Sequence, residues 1–265
     1  MFCCAYIEDG EESLAVDAYP AAGVGPADLF EESREYPDGS TYVGQWHDRV
    51  RCGQGVQTWS DGARYIGAWD DDLFHGFGRF EHVNGDIYDG DFRHGAAHGK
   101  GTYQQASGAR YVGEWQEDLK HGKGEELWPD GTRYEGEYCK GEKHGWGLLT
   151  WSDGSFYKGE FRKKQIDGEG EYFWADGRRF EGQWRLNQIH GFGCFTWPDG
   201  RRYEGEYEND KKHGEGIFEW PDGRRYEGQW ANGQQSGKGS LCKADGTEEE
   251  GIWQGGKLTS RAAEL

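Results

Sequence analysis

The sequence predicts an all-β protein, an elongated single-layer antiparallel sheet of tandem β-hairpins. Three observations predict it. An aromatic residue returns every 23 residues from Tyr42 to Tyr226 without an insertion. Glycine is abundant, 46 in 265 residues, more than twice the usual share of about 7%, and most of it falls into fixed columns of the same lattice. Within each unit, aromatic and polar residues alternate with period two, the period of a half-buried strand.

Taken in order, residues 1–35 carry nine acidic groups against Arg34, with an Ala/Gly/Pro stretch from Ala18 to Ala27. Such a segment is expected to be flexible or to lie along the first strand. The repeat domain spans residues 36–253. Tyr42, Tyr65, Tyr88, Tyr111, Tyr134, Tyr157, Phe180, Tyr203 and Tyr226 head the units; a glycine follows two residues later and a second aromatic two beyond that, as in Tyr134-Glu135-Gly136-Glu137-Tyr138. Aromatic, glycine and aromatic share one face of this first strand, and Arg133, Glu135 and Glu137 the other. A second strand reads Gly191-Phe192-Gly193-Cys194-Phe195-Thr196-Trp197, and Pro198-Asp199-Gly200 closes it, Pro pre-setting φ and Gly accepting φ > 0. Such a unit leaves about five residues for the loop between its strands, so connections are local and antiparallel. About twenty strands at ~4.8 Å give a rod or trough on the order of 90 Å long. Residues 254–265 form a tail in which Thr259 to Leu265 are expected to make one helical turn over the last edge strand.

Units such as Tyr203 to Arg225, YEGEYENDKKHGEGIFEWPDGRR, resemble MORN (membrane occupation and recognition nexus) repeats, whose signature is close to YxGxWxxxxxHGxGxxxxxDG. The resemblance covers residues 36 to 253: a half unit, nine full units and a final half unit. Departures are mild. The His column reads Cys52, Asp167 and Ser236 in three units, the turn Trp becomes His82, Gln105 and Lys243, and Glu249 stands where the last Tyr belongs. The resemblance implies a non-enzymatic assembly or tethering component: parts of axonemal radial spokes, cytoskeletal structures and myosin-tail adaptors are built on such repeats, and some self-associate through terminal repeats.

Composition removes several classes. Asp plus Glu outnumber Lys plus Arg 49 to 30, for a net charge of −19, whereas nucleic-acid binding needs a basic face. The N-terminus MFCCAYIEDGEESL lacks the cationic and apolar regions of a signal peptide, and no run approaches the ~18 apolar residues of a membrane span. The six cysteines show no CxxC pairing, consistent with a reducing cytoplasm.

No cofactor, metal or catalytic centre is expected. His75, His98, His121, His144, His190 and His213 occupy one column, but successive units lie roughly 9–10 Å apart, too far for shared ligation of an ion held at ~2 Å. Hydrogen bonding of the imidazoles to the hairpin loop is the reading the column supports. No unit completes G-x-G-x-x-G before a helix, and the near-match from Gly251 to Lys257 places Leu258 where a phosphate loop needs Ser or Thr. Every candidate nucleophile or base has copies in other units, whereas catalysis needs a singular site.

Columns can also be compared within the chain. Phe77, Trp146 and Phe192 interrupt the otherwise polar column between the paired glycines, and Phe74, Ile166 and Ile189 interrupt another three residues earlier. These six are the candidate protein-interaction residues, since exposed apolar side chains are usual interface anchors. Cys3 and Cys4 are candidate lipid-anchor positions, opposed by the acidic Glu8, Asp9, Glu11 and Glu12. The pairs Arg178-Arg179, Arg201-Arg202 and Arg224-Arg225 are the candidate weak contacts to anionic lipid. The leading expectation is a scaffold holding a partner helix or strand, or joining a cytoskeletal or ciliary assembly. A peripheral membrane or phosphoinositide module is the second reading, and a regulatory subunit acting in trans on a lipid kinase or similar enzyme is the third.

Overall fold

The computed structural model describes residues 29–261. All 21 strands belong to one antiparallel sheet, and no helix occurs among the described residues. The chain divides into two compact units, Met1–Val83 with Asp91–Gly95, and Asn84–Gly90 with Ala96–Leu265. In the first, β1 (Phe30–Glu35), β2 (Thr41–His47), β3 (Val50–Thr58), β4 (Arg64–Asp70) and β5 (Leu73–Glu81) pair in chain order, each antiparallel to the next. Residues of β6 (Ile87–Arg93) fall in both units. The second contains β7 (Ala96–Gln104), β8 (Arg110–Gln116), β9 (Leu119–Leu127), β10 (Arg133–Cys139), β11 (Glu142–Thr150), β12 (Phe156–Arg162), β13 (Gln165–Phe173) and β14 (Arg179–Arg185). It continues through β15 (Gln188–Thr196), β16 (Arg202–Glu208), β17 (Lys211–Glu219), β18 (Arg225–Ala231), β19 (Gln234–Cys242), β20 (Glu248–Gln254) and β21 (Lys257–Arg261), again paired in chain order.

Loops of two lengths alternate, and one of them departs from the expectation. The five-residue connection, such as Trp174 to Arg178, carries the foreseen turn: the Gly177 N–H donates to Trp174 O at 2.8 Å and the Trp174 N–H to Arg178 O at 2.9 Å. Its Asp caps the turn, Asp176 Oδ1 accepting the Arg178 N–H at 3.1 Å. Within each unit, however, the segment expected as a five-residue loop is strand, reversed by only two residues. Both turn residues have positive φ, 50° and 69° at Lys163 and Lys164, 49° and 65° at Asn209 and Asp210. This is the type I′ geometry, whose twist matches that of the flanking strands. Non-glycine residues there cost on the order of 1 kcal/mol each, offset by contacts to the preceding repeat. The Asp210 N–H donates to Ile189 O at 3.0 Å, and Asp210 Oδ1 accepts the Ile189 N–H at 2.8 Å. Similarly, Thr259, Ser260 and Arg261 are not helical: Gly255 and Gly256 make a two-residue turn, and β21 pairs with β20. Pairing satisfies backbone groups that one helical turn would leave open.

Two paired glycines explain the repeat signature. Gly136 of β10 lies opposite Gly147 of β11, and the Tyr134 ring lies flat across both, its hydroxyl donating to Glu137 O at 3.0 Å. A Cβ on Gly147 would stand 2.5 Å from Tyr134 Oη. Each ring covering such a pair is buried, and the rings meet edge to face in sequence. Tyr134 contacts Tyr138 at 5.3 Å and Phe161 at 5.2 Å, and Tyr157 contacts Phe161 at 5.2 Å and Trp184 at 5.6 Å. Trp184 Nε1–H donates back to Gly170 O at 3.3 Å. The core is therefore one face of the sheet, and each repeat completes its neighbour's.

Candidate interaction surface

Strand pairs joined by a two-residue turn contain a bulge beside the second aromatic, as between Gly182 and Trp184, whereas pairs joined by a five-residue turn, such as β13 and β14, keep regular register. The bulge frees the N–H of the residue between the paired glycines, and a side chain one strand away accepts it. Gln183 Oε1 takes the Phe192 N–H at 2.9 Å, Glu160 Oε1 that of Glu169 at 3.2 Å and Glu206 Oε1 that of Glu215 at 3.1 Å. Glu206 stays exposed on the polar face, as its period-two position requires; its spacing of nine residues from the amide it caps is the signal that column reading by face does not use.

The aromatic face presents a second, partly exposed ladder at the five-residue turns of the larger unit. Trp151 meets Tyr172 at 5.1 Å, Tyr172 meets Trp174 at 4.3 Å, Trp174 meets Phe195 at 5.1 Å, and Phe195 meets Trp197 at 4.4 Å. Trp197 and Phe218 follow at 5.7 Å, Phe218 and Trp220 at 4.5 Å. Lys212 Nζ sits over Phe218 at 4.3 Å and Trp230 at 4.6 Å. Burial pushes its pKa down to about 8, and Arg201 contributes in the same direction.

Phe74, Ile166 and Ile189 belong to this aromatic face, in the column that Lys212 occupies elsewhere. Phe74 stacks on Tyr65 at 4.0 Å, while Ile166 and Ile189 are only 7% and 6% exposed. Phe77, Trp146 and Phe192 lie in strand positions of the opposite face, 46%, 54% and 53% exposed. The six residues thus fall into two sets on two faces and form no single cluster.

The arginine pairs also divide between faces, and each guanidinium has a carboxylate. Arg178, Arg201 and Arg224 pair with turn residues Asp176, Asp199 and Asp222 at 2.8 Å and cover Trp174, Trp197 and Trp220 at 5.2, 5.3 and 5.0 Å. Hydrogen bonds from the following Arg hold Asp176 and Asp199 below the ordinary carboxylate range, and Asp222 follows through the Arg224 backbone N–H. Arg179 bonds Glu171 and Glu181, Arg202 bonds Glu204, and Arg225 bonds Glu227 at 2.6 Å. Cys3 and Cys4 lie outside the described residues.

Two members of the histidine column stand beside carboxylates near the two-residue turns. His213 Nδ1 is 3.5 Å from Glu208 and His98 Nδ1 is 3.8 Å from Glu117, the latter nitrogen buried without a hydrogen-bond partner. Among the described residues, no group of three His, Cys, Asp or Glu side chains is arranged to hold a metal ion, and no helix is long and apolar enough to cross a membrane.

Fold and surface define a tandem-hairpin repeat protein in which neighbouring repeats complete each other's aromatic core. The MORN repeat model matches it nine times, at residues 42–64, 65–87, 88–110, 111–133, 134–156, 157–178, 180–201, 203–224 and 226–248, and the chain belongs to that family. Comparison with curated protein sequences gave no match. Among solved structures, it is similar to the TCP10 domain of Danio rerio CPAP in complex with a STIL peptide, at 14% identity and TM-score 0.47, covering 88% of this chain and 99% of that one. It is also similar to the G-box domain of the microcephaly protein CPAP, at 14% identity and TM-score 0.41, covering 76% and 100%.

Proposed function

We propose that the protein is a non-enzymatic scaffold or adaptor, holding protein partners along its aromatic surface within a cytoskeletal or ciliary assembly of the cytoplasm. The observation that carries this reading is the turn ladder from Trp151 to Trp220, in which Trp151, Tyr172, Trp174, Trp197 and Trp220 stay partly exposed while stacked against the buried core rings Phe195 and Phe218. Amphipathic rings held rigid by stacking supply contact area at little entropic cost. Membership of the MORN family supports the assembly role. The carboxylate matched to every arginine of the three pairs argues against a phosphoinositide module, because an anionic headgroup would have to displace Asp176, Asp199 or Asp222.

The test is purification of the tagged full chain from its native cells without detergent, with co-purifying proteins quantified by mass spectrometry. A few cytoskeletal or ciliary proteins at constant ratio to the chain are expected. Recovery only with vesicle proteins, or of a kinase that the added chain stimulates, would replace this reading with a membrane or regulatory one.

A further inference from the structure

The face opposite the aromatic core changes character on β11, β12 and β13. Four columns that are polar in the flanking repeats turn apolar together on β11, β12 and β13. Trp146 stands where Lys123 and Glu169 stand in the adjacent units, Leu148 where Glu125 and Glu171 stand, Phe156 where Arg133 and Arg179 stand, and Phe173 where Thr150 and Thr196 stand. Drift in one column is ordinary. Convergence of four columns on three adjacent strands is a surface feature.

Register sets the four residues on one face of three adjacent strands, with Lys158 between Leu148 and Glu171. Phe156 lies opposite both Thr150 and Phe173, Leu148 lies opposite Lys158, and Trp146 lies opposite Glu160. Phe156 and Phe173 stack at 5.4 Å with ring planes 16° apart. On either side the ordinary arginine ladder resumes, Arg133 with Glu125 and Glu135, Arg179 with Glu171 and Glu181. The patch is not needed to fill the core, which occupies the other face.

Charge and backbone chemistry identify the occupant. Among the described residues, Glu137, Glu160 and Glu169 have no cation within the 4.0 Å of an ion pair; Glu160 Oε1 accepts the Glu169 N–H and Glu169 Oε1 the Gln183 amide, both neutral donors, so the patch is edged by carboxylates whose negative charge is not neutralised. The sheet's backbone groups beneath it are taken by neighbouring strands. An incoming segment must therefore satisfy its own backbone, which a helix does internally.

We propose that Trp146, Leu148, Phe156 and Phe173 form a docking patch for an amphipathic α-helix of a protein partner, its apolar stripe flanked by Lys or Arg that meet Glu137, Glu160 and Glu169. This rests on the scaffold reading and gives it a second face and a partner chemistry.

The experiment titrates the full chain into a fluorescent model helix of about 18 residues built from Leu and Lys, and into a Leu/Glu helix of the same pattern, reading anisotropy. The variants are Trp146→Gln and Phe156→Thr, residues that the same columns already carry at Gln54 and Thr41, so the lattice accommodates them. The Leu/Lys helix should bind at least ~10-fold tighter than the Leu/Glu helix, and the double variant should lose at least ~10-fold. Glu160→Gln should lose a smaller factor that shrinks with added salt. Equal binding of the two helices, wild-type binding by the double variant, no binding at all, or a dimer of the chain that Trp146→Gln dissociates would each overturn the proposal. If native partners are retained by the double variant but lost with the turn ladder, the patch falls and the scaffold stands. If no protein co-purifies while the model helix binds as expected, the scaffold falls and the patch stands.

Discussion

Substituting Gly147 by Ala tests whether the repeat's glycines exist to receive a ring. The new methyl would meet Tyr134 Oη at 2.5 Å and Cε2 at 2.6 Å, well inside van der Waals contact. The ring has no direction in which to retreat. Tyr138 and Phe161 abut it at 5.3 and 5.2 Å, Lys143 Nζ lies over it at 4.9 Å, and Glu137 O holds its hydroxyl at 3.0 Å. Displacing it would forfeit a hydrogen bond of about 1 kcal/mol and weaken two edge-to-face contacts of ~0.5–1.5 kcal/mol each. Crowding adds ~1–3 kcal/mol, and Ala returns ~0.5–1 kcal/mol by stiffening the unfolded chain. The expected net loss is about 3 kcal/mol, read as faster amide hydrogen exchange in β10 to β12 and a lower urea midpoint. Gly154→Ala is the control: φ is 85° but no atom lies within 4 Å of the added Cβ, so about 1 kcal/mol of backbone strain is expected. In a Tyr134→Ala background, Gly147→Ala should become nearly neutral. Equal losses at Gly147 and Gly154, or an undiminished loss without the Tyr134 ring, would refute the steric argument.

Phe180 is the one ring of its column without a hydroxyl, while Tyr157 and Tyr203 donate to Glu160 O and Glu206 O at 3.1 and 3.0 Å; Phe180→Tyr should stabilise by about 1 kcal/mol in urea unfolding. Removing a bulge cap with Gln183→Leu exchanges an exposed hydrogen bond of the Phe192 N–H for one to water and should cost about 0.5–1.5 kcal/mol in the same assay. Burial lowers the Lys212 pKa to about 8 in the folded chain against 10.5 ordinarily, so between those values the unfolded state binds the extra proton and stability should rise with pH. Lys212→Leu should flatten that rise. Buried tyrosines such as Tyr134, raised by desolvation, oppose it only above about pH 10, where the unfolded chain begins to ionise. A denaturation series from pH 8 to 10 checks the sign.

The strand content and the aromatic lattice were legible because period-two alternation and a 23-residue return need no three-dimensional information. The two-residue turns were legible in one full unit alone, where Asn232-Gly233 carries the Asn-Gly signal that marks type I′ geometry. Leu186-Asn187 and Lys163-Lys164 carry none of it, and the conformation is held by the preceding repeat, as when Asn187 Oδ1 accepts the Ile166 N–H at 2.8 Å. Column comparison found Trp146 and Phe192 on the polar face. It also grouped them with Ile166 and Ile189, although a spacing of three residues, as between Ile189 and Phe192, already sets two side chains on opposite faces of one strand, and the bulge keeps that parity. Leu148, Phe156 and Phe173 escaped notice because each looks unremarkable in its own strand; their convergence exists only in the register between strands.

The central claim is that the partly exposed rings at the turns hold partner proteins. It is tested most directly by repeating the native purification with Trp174→Gln and Trp197→His, replacements that the turn column carries at Gln105 and His82. With the fold intact by circular dichroism, the account predicts that proteins recovered at constant ratio with the wild-type chain fall at least ~10-fold with the double variant. Undiminished recovery of those proteins, or no protein at constant ratio to the wild-type chain, would contradict it.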